Sequence, residues 1–276
     1  MPEGDTIYRA ARTLQRALAG QLITRFETGL AQLAVLDRDE PIEGRTIDRV
    51  ESVGKHLLMT FSGALILRTH MRMNGSWHIY RPGEKWQRPA SSRRIVLETR
   101  EWVAVAFDVY NAEFVRADLL STDPVVATLG PDLLGDFDAN DALARVRKSG
   151  SRHMHEVLLD QRVMAGLGNV YKSELLFLSG IHPDTPAAMV DDRRWQDIMR
   201  QAQSLLRANV AEASPSGIVT YRGLRRTTGQ MNPSDRLWVY GRSGKPCRKC
   251  GTVIAFRKDG DAARVTYWCP TCQPLP

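Results

Sequence analysis

Residues 46–81 read TIDRVESVGKHLLMTFSGALILRTHMRMNGSWHIYR, and this stretch sets the class of fold. Short apolar runs lie near 46–52, 56–61, 64–70 and 76–81, each too brief for a helix and each of strand character. Gly54, Gly63 and Gly75 stand between the runs, where a turn is needed. Working outward, further runs fall near 21–27, 94–99, 102–107 and 113–116, with Gly44 and Arg81-Pro82-Gly83 supplying more turn chemistry. Eight such segments with no intervening helix-length pattern predict a β-sandwich or barrel. The loop around 82–92 is polar and basic and reads as mobile.

One helix precedes the strands. Ile7, Ala10, Ala11, Leu14, Ala17 and Leu18 recur at helical spacing, while Arg9, Thr13 and Arg16 fall on another face. Asp5 reads as its N-cap and Gly20 as its stop. Ahead of it stands Met1-Pro2-Glu3-Gly4-Asp5. A small second residue predicts trimming of Met1, which leaves the secondary amine of Pro2 just before a helix N-terminus. An α-amino group titrates at about 7.7–8.0. The positive end of the helix dipole disfavours its protonated form and Glu3 favours it, so a neutral fraction persists near neutral pH. A neutral secondary amine attacks carbon and leaves an iminium, with Glu3 in reach for proton transfer. The plain alternative is a trimmed terminus beside a solvated Glu.

Between Ser121 and Leu134 the composition changes to that of a linker, and from about 139 to 212 the pattern is helical. Leu143 and Val146 begin one segment, His153–Leu159 forms another, Val170–Leu178 a third and Trp195–Val210 a longer fourth. A β domain followed by an α domain makes a natural ligand groove between them. Residues 214–234 read as a flexible basic loop containing Arg222, Arg225 and Arg226.

The chain of 276 residues is 43% hydrophobic and 25% charged, with net charge +7 and a pI of about 9.4. That balance favours a polyanionic partner, nucleic acid first. No 18-residue apolar run occurs and the start lacks the order of a signal peptide, which predicts an intracellular protein.

Cys247-Arg248-Lys249-Cys250 and Cys269-Pro270-Thr271-Cys272 are two CxxC pairs separated by eighteen residues. This is the spacing of a tetrahedral four-thiolate zinc site on two knuckles, so Cys247, Cys250, Cys269 and Cys272 are expected to hold one structural Zn2+. Val253–Phe256 and Arg264–Trp268 alternate like the strands of a hairpin between them. Four protein ligands leave no open position for catalysis. Residues 241–276 carry seven Lys or Arg against two Asp, which suits a hairpin that faces nucleic acid.

A second signal runs from Asp160 through Ala165-Gly166-Leu167-Gly168-Asn169-Val170-Tyr171. A helix ends, a glycine turn follows, and Asn169 opens a new helix whose free N–H groups suit a phosphate. Such turns also serve as plain connectors. Taken singly, Lys55 reads as a solvated edge lysine at a strand start, His70 as a structural histidine, Met73 as core and Arg264 as a surface strand residue.

Together these residues resemble the Fpg/Nei family of DNA glycosylases with abasic lyase activity, the formamidopyrimidine-DNA glycosylase and endonuclease VIII family. Pro-Glu at the start, Val-Gly-Lys-His at 53–56, Gly-Leu-Gly-Asn-x-Tyr at 166–171 and the Cys₄ tail with its internal Arg fall in the family's order. The resemblance spans essentially the whole chain. It implies an α+β multidomain protein: an N-terminal β-sandwich preceded by a helix over 1–125, a helix–two-turn–helix domain over 126–235 and a zinc-ribbon hairpin over 236–276. It implies that Pro2 attacks the sugar C1′ and forms the Schiff base, and that Glu3 handles protons on the deoxyribose. Lys55 joins these catalytic residues and, with His70, grips phosphates near the flipped nucleotide. Asn169 and Arg264 clamp the flanking phosphate, and Met73 is the wedge that fills the vacated stack. The implied partner is damaged double-stranded DNA, bound by a cytoplasmic monomer, nucleoid-associated if bacterial, with no membrane role.

The opening Pro-Glu-Gly-Asp-Thr is similar to the endonuclease VIII branch, and Tyr110-Asn111-Ala112-Glu113-Phe114 lacks the Asp-Pro-Arg-Arg-Phe run of the purine-directed branch. Oxidised pyrimidines and abasic sites are therefore the expected lesions, ahead of oxidised purines. The remaining alternatives are a non-catalytic zinc-containing DNA-binding protein, and a relative whose lyase step outpaces a feeble glycosylase step.

Overall fold

A computed structural model describes residues 2–211, 225–230, 232, 234–259 and 264–276. Arg222 of the expected basic loop lies outside the described residues, whereas Arg225 and Arg226 lie within them. Among the described residues the chain divides into two compact units, one running to Thr128 and the other beginning at Leu129.

The first unit opens with α1 (Gly4–Leu18), whose cap is Glu3 and not Asp5. The Glu3 backbone is extended, and its carbonyl accepts from the Thr6 and Ile7 amides at 2.9 and 3.1 Å. Asp5 lies instead in the first turn, buried and 4.0 Å from Arg9. The helix stops before Gly20, which takes φ +79°. Then come β1 (Ile23–Thr28), α2 (Ala31–Asp39), β2 (Ile47–Val53), β3 (His56–Phe61), β4 (Leu65–His70), β5 (Ser76–Tyr80), β6 (Arg93–Thr99), β7 (Val103–Phe107) and β8 (Asn111–Arg116). Helix α2 contradicts the expectation of no helix among the strands. Leu33 is its one buried residue, so it writes no apolar stripe into the sequence.

The strands form two four-stranded antiparallel sheets, β1-β6-β7-β5 and β2-β3-β4-β8. Alternate residues supply the core: Leu57, Met59 and Phe61 of β3, Leu65 and Leu67 of β4, and Ile95, Leu97, Ala104 and Ala106 of the other sheet. The apolar stripe of α1 joins the same core through Ile7, Leu14 and Leu18. The chain passes from one sheet to the other between β4 and β5, where the Trp77 indole N–H donates to Thr69 Oγ1 at 3.1 Å.

A second, smaller cluster of Tyr80, Val96, Val103, Val105 and Phe107 is covered by Trp86. Trp86 thus ties the 82–92 loop to this cluster, while residues 82–85 and 89–91 stay exposed. The Gln87 amide also donates to the Tyr80 hydroxyl at 3.1 Å. The linker after β8 is anchored as well: Asp123 accepts from the Val125 and Val126 amides, both at 2.9 Å, and lies 3.4 Å from the buried Arg68 of β4.

The second unit holds α3 (Ala139–Arg147), α4 (Met154–Val157), α5 (Asn169–Leu178) and α6 (Asp192–Ala211), followed by the hairpin β9 (Ala255–Asp259) and β10 (Arg264–Trp268). Asp138 caps α3 by accepting from the Asn140 and Asp141 amides. Leu143, Met154, Leu158, Leu167, Leu175, Trp195, Ile198 and Leu206 build the helical core. A separate cluster of Phe177, Val239, Cys247, Ile254 and Cys269 joins α5 to the cysteine tail. The first hairpin strand begins two residues later than its alternation suggested, because Val253 is drawn into an isolated bridge with Pro246.

Candidate active site, nucleic-acid contacts and metal centre

Pro2 and Glu3 are both buried at the N-terminus of α1. Glu3 caps through its carbonyl, and its side chain makes no cap hydrogen bond. Pro2 and Glu3 are thus adjacent in sequence and held by a helix whose orientation the core fixes.

Lys55 does not begin a strand. Val53 pairs with His56, so Gly54 and Lys55 form the two-residue turn between β2 and β3, with Gly54 at φ +58°. Glycine at this first turn position takes the positive φ that presents Lys55 at the tip. His70 ends β4 directly opposite His56, with ring centroids 4.9 Å apart. Burial lowers both imidazoles, and nearby cations add to it: Lys55, Arg72 and Arg68 beside His70, and His70 and Arg68 beside His56. His70 falls to about 4 and His56 to about 3, so both rings are neutral at physiological pH. The Arg72 amide donates to His70 Nδ1 at 3.1 Å, which leaves the ring proton on Nε2 as a donor. The arrangement is one cationic amine and one neutral donor at the same end of a sheet, suited to phosphate oxygens.

Met73 is not core. It is 59% exposed on the turn that joins β4 to β5, while its neighbour Met71 is buried. The Gly75 amide closes this turn onto the Met71 carbonyl at 2.8 Å. A Cβ at Gly75 would lie 2.4 Å from that carbonyl oxygen, so the tight turn demands glycine.

In the second unit Asn169 opens α5, after Gly168 as N-cap. Gln161 braces the preceding turn, donating to the Leu159 and Leu167 carbonyls at 2.8 and 3.0 Å and accepting from the Gly166 amide at 3.0 Å. The Asn169 Oδ1 is buried with no hydrogen-bond partner among the described residues. Arg264 is exposed at the start of β10, opposite Asp259. Helix α5 packs against β10, so Asn169 and Arg264 belong to elements that touch. Two fully buried ionisable side chains of α5 tie it to later segments, Lys172 to β10 and Glu174 to residues 227–240. Lys172 donates to the Val265 carbonyl at 3.1 Å and to Thr266 Oγ1 at 2.6 Å. Glu174 accepts from the Trp238, Val239 and Tyr240 amides at 2.8, 2.9 and 2.9 Å and from the Thr227 hydroxyl. Burial pushes the Glu174 carboxyl up, against these hydrogen bonds, which pull it down. Asp184 adds a third tie through a bidentate pair with Arg257 of β9.

The four cysteine sulfurs lie within 4.8 Å of one another. A tetrahedral zinc with Zn–S bonds of about 2.3 Å requires S···S edges of about 3.8 Å. Cys247 and Cys272 are 3.9 Å apart, and Cys250 and Cys269 3.4 Å. The amides of Lys249 and Cys272 point at Cys247 and Cys269 sulfur at 3.4 and 3.5 Å, the donors a thiolate needs. The site fits one structural zinc. His153, His155 and Asp184 also cluster within 4.8 Å, but Asp184 is committed to Arg257 and His155 Nδ1 to the Pro183 carbonyl at 2.9 Å.

Family models cover most of the chain: the formamidopyrimidine-DNA glycosylase N-terminal domain over residues 1–110, the formamidopyrimidine-DNA glycosylase H2TH domain over 129–220, and the zinc finger found in FPG and IleRS over 244–275. The chain belongs to the Fpg/Nei family. Its relatives include the probable endonuclease 8 2 of Streptomyces coelicolor, 41% identical over 100% of this chain and 95% of that one. The DNA-(apurinic or apyrimidinic site) lyase of Mycolicibacterium smegmatis is 38% identical over 99% of both chains. Among solved structures, the complex of the Lactococcus lactis Fpg with DNA containing an abasic site matches with a TM-score of 0.81, at 23% identity, over 99% of this chain and 100% of that one. This last likeness concerns the fold.

Within this Fpg/Nei frame, the sequence pattern missed His56, Lys172 and Glu174. His56 was visible in the Val-Gly-Lys-His run, but nothing local says that it faces His70. Lys172 and Glu174 follow Asn169 on an otherwise apolar helix, and two charges in such a helix were the available signal.

Proposed function

We propose that this chain is a base-excision DNA glycosylase with abasic-site lyase activity, with Pro2 as nucleophile. The observation that carries this reading is the buried Pro2-Glu3 pair at the start of α1, in a chain whose residues 1–110 and 129–220 match glycosylase family models. With Met1 removed, the Pro2 nitrogen attacks C1′ of the damaged nucleotide. The C1′–base bond breaks and the sugar ring opens, with Glu3 moving protons on the deoxyribose. The resulting iminium acidifies the C2′ protons. Loss of one expels the 3′ phosphate, and a second elimination expels the 5′ phosphate. Water then releases the sugar fragment and regenerates the amine.

Lys55 and His70 bind phosphates beside the everted nucleotide, Asn169 and Arg264 clamp the flanking phosphate, and Met73 occupies the vacated place in the stack. The zinc supplies no step; it holds the hairpin that carries Arg264. The preferred lesions are oxidised pyrimidines and abasic sites. The Pro-Glu-Gly-Asp-Thr opening supports this, as do the relatives named endonuclease 8 2 at 40–41% identity. The protein works as a cytoplasmic monomer, nucleoid-associated if bacterial, in three segments, 1–125 for catalysis, 126–235 for helical DNA binding and 236–276 as the zinc hairpin. No helix among the described residues is long and apolar enough to cross a membrane.

Borohydride trapping on a duplex with an abasic site tests the proposal. A covalent adduct mapped to Pro2 by peptide mass analysis is the expected result. Absence of an adduct, from protein whose Met1 is confirmed absent, would favour a DNA-binding protein without lyase chemistry. The same assay with thymine glycol or 8-oxoguanine chooses the lesion class.

A further inference from the structure

Two turns at one end of the β-sandwich are tied together by a single side chain. The first, Met71–Gly75, carries the exposed Met73 and holds Arg72 at φ +47°. The second, between β7 and β8, holds Asp108 at φ +52°, two residues before Tyr110, which is 55% exposed. Positive φ at a non-glycine residue is uncommon and persists only where surrounding contacts enforce it. Arg88 supplies such contacts to both turns. One arm of its guanidinium donates to the Asn74 carbonyl at 3.0 Å and to Ser76 Oγ at 3.1 Å, and the other pairs with the Asp108 carboxylate. Arg88 is itself fixed: Trp86 and Gln87 anchor its loop on Tyr80, and its guanidinium lies 5.8 Å from the Phe107 ring centroid. The Asp108 amide closes the frame by donating to the Ser92 carbonyl at 2.8 Å.

We propose that Arg88 is a positioning residue for DNA: it clasps the Met73 turn to the Asp108 turn and so fixes where Met73 enters a base stack. The planar fork is what the geometry requires, because the Asn74 carbonyl, Ser76 Oγ at the start of β5 and the Asp108 carboxylate must be met at once. A lysine has one nitrogen and cannot span them. The proposal rests on the reading of Met73 as the stack filler, and it gives Arg88 no contact with nucleic acid.

The test measures binding of the full chain to a duplex with a stable abasic-site analogue and to the same duplex undamaged, for wild type, Met73→Ala, Arg88→Ala and the double variant. Thermal melting accompanies each. Arg88→Ala is expected to lower the preference for the abasic duplex about tenfold, the scale of one lost charge-assisted hydrogen bond. The double variant should prefer the abasic duplex no less than Met73→Ala alone, since both changes remove one function. The slope of affinity against salt should not change, because no phosphate contact is lost. A folded Arg88→Ala protein with full preference, multiplying effects in the double variant, or a slope lowered by about one unit would each overturn the clasp. If Met73→Ala itself keeps full preference, the stack-filler reading fails and the clasp loses its purpose. Should Arg88→Ala not fold, Asp108→Asn weakens the same ion pair while tolerating the positive φ, and the same outcomes apply.

Discussion

At the Lys55–His70 end of the sandwich, His56 and His70 are partly buried imidazoles that shed their charge beside the buried Arg68–Asp123 pair. Along α5, Lys172 and Glu174 are buried deeper, and the junction with β10 and the 227–240 segment is built from their hydrogen bonds. The difference is one of cost. A histidine can enter a protein interior as a neutral donor and acceptor, giving up only its proton. A carboxylate hydrogen-bonded by three backbone amides needs all of those partners in place, and its removal strands them. The sandwich end should therefore respond to pH and tolerate single substitutions, whereas the α5 junction should respond to single substitutions most of all.

The largest effect expected from this contrast is at Glu174. Glu174→Ala strands the Trp238, Val239 and Tyr240 amides, and denaturant unfolding should show a loss of about 3–5 kcal/mol. A loss below about 1 kcal/mol would mean that water replaces the carboxylate easily and that the junction is not built on it.

The next effect belongs to the sandwich. An unfolded histidine takes up its proton near about pH 6.5. The folded rings of His70 and His78 do so only at about 4, and that of His56 at about 3. Between these limits the unfolded chain binds more protons, so stability rises with pH from about 4 to about 6.5 and is flat in this respect above it. Each ring contributes a slope of at most about 1.4 kcal/mol per pH unit. Denaturation midpoints across this window, compared with His56→Gln, should show a shallower slope in the variant. Equal slopes would place the acid sensitivity elsewhere.

The smallest effects sharpen the comparison at the surface. Lys55 and Arg264 stand at a turn tip and a strand start, and neither replacement should change stability by more than about 0.5 kcal/mol. Each should lower the slope of log affinity against log salt on duplex DNA by about one unit. An unchanged slope removes that residue from the interface.

The strands over residues 47–116 were legible because alternation and glycine turns are local signals, and each predicted run reappears in the sheets. The zinc ligands were legible because CxxC spacing is itself the geometry of a knuckle. Helix α2 was not legible, since it buries only Leu33. The expected N-cap at Asp5 lies two residues too late, inside the first turn, and the cap is Glu3, whose carbonyl accepts the first helical amides. Met73 looked like core because methionine usually is; its exposure follows from a turn closed by Gly75.

From the sequence by itself came the β-then-α order, the cysteine set, the glycine turn before Asn169 and the Pro2-Glu3 start, all features written within a few residues of one another. Only the tertiary structure decided that His70 meets His56, that Arg88 joins two turns, and that the charges on α5 hold the zinc hairpin. Lys172 finds Thr266 across 94 positions and Glu174 finds Tyr240 across 66. A partner that distant leaves no period or spacing in the chain; it exists only once burial removes water and requires each polar group to be met by another.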